Sequence, residues 1–214
     1  MRAWDLVSTL PRVLETPSTA NDSKRSETEQ KIALGLQQLL DGGTPWRDVT
    51  VEKIAEAAGI KRTLFYVYYS DRNAVLIRLG QQLVDNILSG IAKHWLVEDD
   101  SAAGIREQMR RFYDETLKYA AVTRALMEGA PLDDEIATFW HGLVLSFVEP
   151  TTKRIAEIQE RHGITDGPDP AMTALCLVVM TGRVTLQPVA QDPATSEFLF
   201  EAIVSIWTDA LAKP

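Results

Sequence analysis

The sequence predicts an all-α protein in which a small N-terminal three-helix domain containing a helix-turn-helix precedes a larger helical domain. Apolar residues recur at helical spacing from about residue 27 to the end, and no segment alternates as a strand would. Clusters rich in Gly, Pro and Asp, such as HGITDGPDP and QPVAQDPAT, punctuate that pattern at loop spacing. Two short apolar-faced segments flank Gly59, the arrangement of two helices joined by a tight turn.

Residues 1–23 contain Pro11, Pro17 and most of the polar run TPSTANDSKRS, and read as a leader without stable structure. Helical patterning starts from Glu27, where Ile32, Leu34, Leu36, Leu39 and Leu40 form a stripe ended by Gly42 and Gly43. Thr50 stands at the N-cap of a short helix from Val51 to Ala58. Lys53 occupies the third position of that helix, so the reciprocal Glu of a capping box is absent. A second short helix runs from Lys61 to Tyr68, and Ser70 and Asp71 cap a long one over 71–95. Further helices are expected at 102–119, 120–129, 133–161, 170–187 and 194–212. Pro150 is expected to kink the 133–161 helix, since it lacks a backbone donor. Residues 24–70 and 71–214 form the two expected domains.

Composition narrows the function classes. The chain has 214 residues, and its densest apolar stretch, ALCLVVM at 174–180, is far shorter than the ~20 residues of a membrane span. Asp5 interrupts the only apolar patch near the start, so no secretory signal is read there. Cys176 is the one cysteine and has no intrachain partner. A cytoplasmic protein is the simplest reading. The net charge of −8 is unevenly divided: residues 23–84 hold nine Lys/Arg against seven Asp/Glu, whereas residues 85–214 hold eleven against twenty. A weakly basic head on an acidic body is compatible with nucleic-acid binding, because only the contacting face must attract phosphate.

Catalysis and metal binding find no support. His94, His141 and His162 are isolated, and Asp133, Asp134 and Glu135 open a helix whose dipole they oppose favourably. No phosphate loop, nucleophile elbow or Ser/His/Asp set is present. No metal and no cofactor are expected.

The informative stretch is TVEKIAEAAGIKRTLFYVYYSDRNAVL, residues 50–76. Ala55 and Ala58 are small where one helix must cross another, and Gly59 suits a turn needing positive φ. Ile54, Ile60 and Phe65 form an apolar wedge, which leaves Lys61, Arg62, Thr63 and Tyr66 facing outward on the second helix. Arg and Lys can read guanine, Thr can meet a base edge or methyl, and a Tyr hydroxyl can bind phosphate.

IAEAAGI followed by KRTLFYVYYSDRNAVL resembles the recognition segment of the TetR family of DNA-binding regulators. The resemblance implies phosphate contacts from Thr50 and Tyr66, and base-facing positions for Lys61, Arg62, Thr63 and Val67. It also implies that Tyr68 and Arg72 fix the DNA backbone. Arg72 replaces the usual lysine, Leu64 a frequent threonine and Ser70 a frequent proline. AVTRAL at 121–126, IATFWHGLV at 136–144 and IVSIWTDAL at 203–211 are similar to the mycobacterial regulators that repress an ethionamide-activating monooxygenase.

In the C-terminal domain, Met109, Phe112, Tyr113, Phe139, Trp140, Leu143, Phe147, Cys176, Val179, Met180 and Trp207 are the candidate lining of a cavity for a small apolar effector. The related regulators carry polar amides where Cys176 and Val179 align, so this cavity is expected to be more apolar, with Thr181 or Tyr113 as polar anchors. An apolar excess on the last two helices (Leu175, Leu177, Val178, Phe198, Phe200, Ile203, Val204 and Ile206) predicts a homodimer paired through them. The resulting expectation is a homodimeric repressor that binds a palindromic double-stranded operator and is released by an apolar ligand. A regulator with no inducer and a helical enzyme are the rival readings.

Overall fold

The structure, a computed structural model, describes residues 20–94, 101–186 and 192–211. These form nine α-helices: α1 (Ala20–Asp41), α2 (Val51–Ala57), α3 (Arg62–Tyr68), α4 (Arg72–His94), α5 (Ala102–Lys118), α6 (Ala120–Gly129), α7 (Asp134–Arg161), α8 (Pro170–Thr185) and α9 (Pro193–Leu211). One 3-10 turn, Trp46–Asp48, precedes α2, and no strand occurs among the described residues. The leader expectation is corrected at its end, because Ala20–Ser23 already belong to α1; the rest of the expected leader, and the helix ends expected at 95, 187 and 212, lie outside the described residues. Polar early turns gave no periodicity to read, yet an Arg25–Glu29 pair one turn apart supports them.

Two compact units emerge, each assembled from two stretches of sequence: Met1–Leu83 with Ala121–Gly142, and Val84–Ala120 with Leu143–Pro214. The first therefore extends well past residue 70. Its core holds Ile32 and Leu36 of α1, Ile54 of α2, Phe65 of α3 and Val75 and Leu76 of α4, all fully buried. α1 and α2 cross at Gly35, where an added Cβ would sit 2.8 Å from the Ala58 backbone nitrogen. Gly59 adopts φ 65° in the turn between α2 and α3, the conformation that disfavours other residues.

The second unit is built on Ile105, Met109 and Tyr113 of α5, Ile155 and Ile158 of α7, Ala174 and Leu177 of α8, and Phe200, Ile203 and Trp207 of α9. Of the residues expected to pair two protomers, Leu177, Phe200, Ile203 and Val204 are instead interior to this unit. Arg106 and Arg110 of α5 pair with Glu201 and Glu197 of α9, and the Arg110 guanidinium lies 3.4 Å from the Phe200 ring centroid.

Caps set the helix starts. Side-chain oxygens of Thr50, Asp71, Ser101, Asp133 and Asp169 accept from backbone amides two or three residues on, at 2.9–3.3 Å. Pro170 occupies a first-turn position, where a missing N–H costs nothing. α7 continues as one helix through Pro150, with the Thr151 and Thr152 hydroxyls donating to the carbonyls of Phe147 and Val148 at 2.8 and 2.9 Å.

Candidate functional site

The recognition surface grows from the wedge beneath it. Phe65 is fully buried, so helical geometry turns Lys61, Arg62, Thr63, Tyr66 and Val67 outward, and all five are exposed. Thr50 is exposed beside them and caps α2, its hydroxyl accepting from Lys53 N. Arg62 is not a free arm. Its Nη1 lies 2.5 Å from Glu52 Oε1, its Nη2 donates to the Tyr66 hydroxyl at 3.1 Å, and its carbon Cζ sits 5.6 Å from the Tyr66 ring centroid. Glu52 was not singled out from sequence; its place on the outer face of α2 needed the crossing of α2 and α3 to be known.

Tyr68 is half-buried, and the Arg25 guanidinium lies 5.9 Å from its ring centroid. Arg72, assigned by resemblance to the DNA backbone, turns inward. Its Nη1 donates to the Trp46 carbonyl at 2.9 Å and to the Val49 carbonyl, and its guanidinium lies 4.5 Å from the Trp46 ring centroid. Glu128 of α6 accepts from the Trp46 backbone amide at 2.9 Å, and Lys53 donates to the Asp48 carbonyl at 2.8 Å. Three charged side chains thus hold the 46–49 turn that leads into α2.

The second unit contains a small apolar cavity of about 30 Å³, lined by Met109, Phe112, Phe147, Pro150, Thr151, Val178, Thr181 and Trp207. Four of the residues expected on its wall are there: Met109, Phe112, Phe147 and Trp207. Tyr113 packs in the core with its hydroxyl 3.0 Å from Ser196 Oγ, and Met180 packs at the core margin. Leu143 is buried without lining the cavity. Phe139 and Trp140 belong to the first unit, where Phe139 packs against Gly80 of α4. Cys176 and Val179, expected to face the cavity, lie exposed on the opposite side of α8. The segment Ala174–Met180 is apolar all round, so its phase could not be read from pattern. The Thr181 hydroxyl, 2 % exposed, accepts from the Trp207 indole at 2.8 Å, and with Thr151, whose hydroxyl donates back to the Phe147 carbonyl, it supplies the polar side chains of the cavity wall.

α8 and α9 also carry apolar residues at their surface. Met172, Leu175, Cys176 and Val179 follow i, i+3, i+4, i+7 spacing along one exposed face of α8, while Phe198 (78 % exposed) and Ile206 stand out on α9.

The family model described as the C-terminal domain of transcriptional regulator EthR matches residues 105–212. The chain belongs to this family. It is 26 % identical over 202 residues to the HTH-type transcriptional regulator EthR of Mycolicibacterium smegmatis, covering 92 % of each chain. To the regulator of the same name from Mycobacterium tuberculosis it is 26 % identical over 211 residues, covering 95 % of this chain and 94 % of that one. A solved structure of the TetR-family regulator PfmR from Thermus thermophilus superposes with a TM-score of 0.67 at 15 % identity, over 85 % of this chain and 99 % of that chain. This EthR-family chain is accordingly a transcriptional regulator of the TetR fold, with the helix-turn-helix that fits the family. Among the described residues no helix is long and apolar enough to cross a membrane, and no cluster of three potential metal-binding side chains occurs.

Proposed function

We propose that this EthR-family regulator is a cytoplasmic, homodimeric repressor that reads a near-palindromic operator through α3 and releases it when an uncharged apolar ligand enters the second unit. The observation that carries the DNA-reading part is the exposed row Lys61, Arg62, Thr63, Tyr66 and Val67 above a fully buried Phe65. A two-fold dimer would offer α3 to successive major grooves of a palindrome. The exposed stripes of α8 and α9 support pairing through these helices. They replace the interior residues that pattern alone had pointed to.

The ligand part rests on the cavity between α5, α7, α8 and α9. At about 30 Å³ it has room for a single water, whereas ligand sites span ~300–1,000 Å³. Binding therefore requires Phe112, Met109 and Phe147 to move apart, and this outward push is the source of unequal affinity for two states. A hundredfold loss of operator binding corresponds to about 2.7 kcal/mol of such coupling. The apolar wall, whose polar side chains are the neutral hydroxyls of Thr151 and Thr181, favours an uncharged molecule. The test is selection from a randomised duplex pool by the full-length protein, followed by fluorescence anisotropy from low to moderate salt. An enriched inverted repeat whose affinity falls steeply with salt is expected. Failure to enrich any sequence would refute operator reading, and apolar compounds that raise the melting temperature without altering operator affinity would refute the inducer.

A further inference from the structure

We propose that Glu52 is the positioning and discrimination residue of the DNA-reading surface: it pre-sets the Arg62 guanidinium for one base edge and penalises binding to DNA that lacks it. This inference rests on the α3 reading above and goes beyond it, because a carboxylate is the one group a phosphate-binding surface should exclude.

Glu52 is exposed on α2, two residues after the Thr50 cap. Its Oε1 lies 2.5 Å from Arg62 Nη1, while Arg62 Nη2 donates to the Tyr66 hydroxyl at 3.1 Å and the guanidinium lies near the Tyr66 ring. Three restraints on one flat group fix its plane. Two of its five N–H donors are engaged, and the others remain for a base. The Glu52 carboxyl is held below its ordinary value by its own backbone amide and then by the Thr50 hydroxyl, with desolvation opposing and the charge of Arg62 adding the smallest lowering. Arg62 is held above its ordinary value first by the Tyr66 hydroxyl and then by Glu52. The carboxylate is thus ionised at neutral pH and interacts with two side chains, Thr50 and Arg62, that face the proposed DNA.

The consequence differs between two kinds of complex. Non-specific binding is carried by phosphate attraction, to which Glu52 contributes only repulsion and a neutralised Arg62. At a cognate site the same carboxylate holds the arginine in register, so part of its repulsion is offset by a base contact made without further ordering. Discrimination grows from that difference.

The test compares wild type, Glu52→Gln, Arg62→Ala and the double variant, all full-length, by anisotropy at fixed salt. The probes are a duplex selected from a random pool by the wild-type protein and a shuffled duplex of the same composition. Glu52→Gln should raise affinity for the shuffled duplex about three- to tenfold and for the selected duplex clearly less, lowering the preference. In the Arg62→Ala background the Glu52 substitution should leave the preference unchanged. Equal gains on both duplexes would show Glu52 acting as mere surface charge and overturn the proposal. A loss of preference that persists without Arg62 would overturn it as well. A wild-type protein that enriches no sequence would instead defeat the α3 reading, and this inference with it.

Discussion

Removing the guanidinium of Arg72 separates two roles that sequence cannot tell apart. If Arg72 is a strut, Arg72→Ala abolishes a charge-assisted bond shared by the Trp46 and Val49 carbonyls, about 1.5–3 kcal/mol. It also abolishes the contact with the Trp46 ring, about 0.5–1 kcal/mol. The total of about 2–4 kcal/mol should lower the melting temperature of a chain this size by about 5–12 °C. The assay is thermal unfolding without DNA, paired with the salt dependence of binding to a selected duplex. Arg72→Lys should recover only part of the loss, since an ammonium offers no flat face to stack and no fork. The salt slope of the variant should match wild type, because no phosphate contact has been deleted. An unchanged melting temperature together with a slope shallower by about one would refute this and return Arg72 to the DNA backbone.

Charge introduced on the exposed stripe, as in Phe198→Glu or Val179→Glu, should give folded monomers by sedimentation that bind operator poorly; dimers at micromolar concentration would place the interface elsewhere. Val178→Trp should fill the cavity and remove any ligand-induced thermal shift, whereas Cys176→Trp, on the far side of α8, should leave that shift intact. The Glu201 carboxyl is held below 4.5, first by hydrogen bonding to Arg106. A depressed value means that its contribution is present above the ordinary carboxylate range and lost as pH falls through the lowered value. Wild type and Glu201→Gln should accordingly differ in melting temperature near neutral pH and converge as the pH falls through that lowered value. A constant gap across that range would exclude the pair as its cause.

The legible parts of the molecule were those where one residue type admits one explanation. Gly59 between two short apolar-faced segments predicts a turn, and the buried Phe65 then determines which neighbours face out. Thr50 read as a helix opener because its side chain can accept from the first free amides, and Asp133 because its charge opposes the helix dipole; both side chains cap their helices. Phase on α8 was not legible, since a helix apolar on every side satisfies both a core and an exposed stripe, and the cavity was assigned to Cys176 and Val179 where Val178 lines it, although Thr181 was read as an anchor. The direction of a charge was equally hidden: Arg72 looks the same in sequence whether it meets phosphate or the carbonyls of a turn twenty-odd residues earlier. Gly35 passed unnoticed because its reason, the Ala58 backbone, is distant in the chain.

The first unit is stitched from two separated stretches, Met1–Leu83 and Ala121–Gly142. A ribosome releases the helix-turn-helix long before it releases Leu126 and Phe139, the side chains that close on Gly80 of α4. Until then the face of α4 at Gly80 lacks its cover from α6 and α7, so the head completes its folding only after both have emerged. The same stitching governs protein engineering. A fragment ending at His94 would carry every DNA-facing side chain yet lack Glu128, Ile136 and Phe139. A chimera that exchanges reading heads between regulators must transplant both stretches, with splices inside α4, at the start of α6 and inside α7.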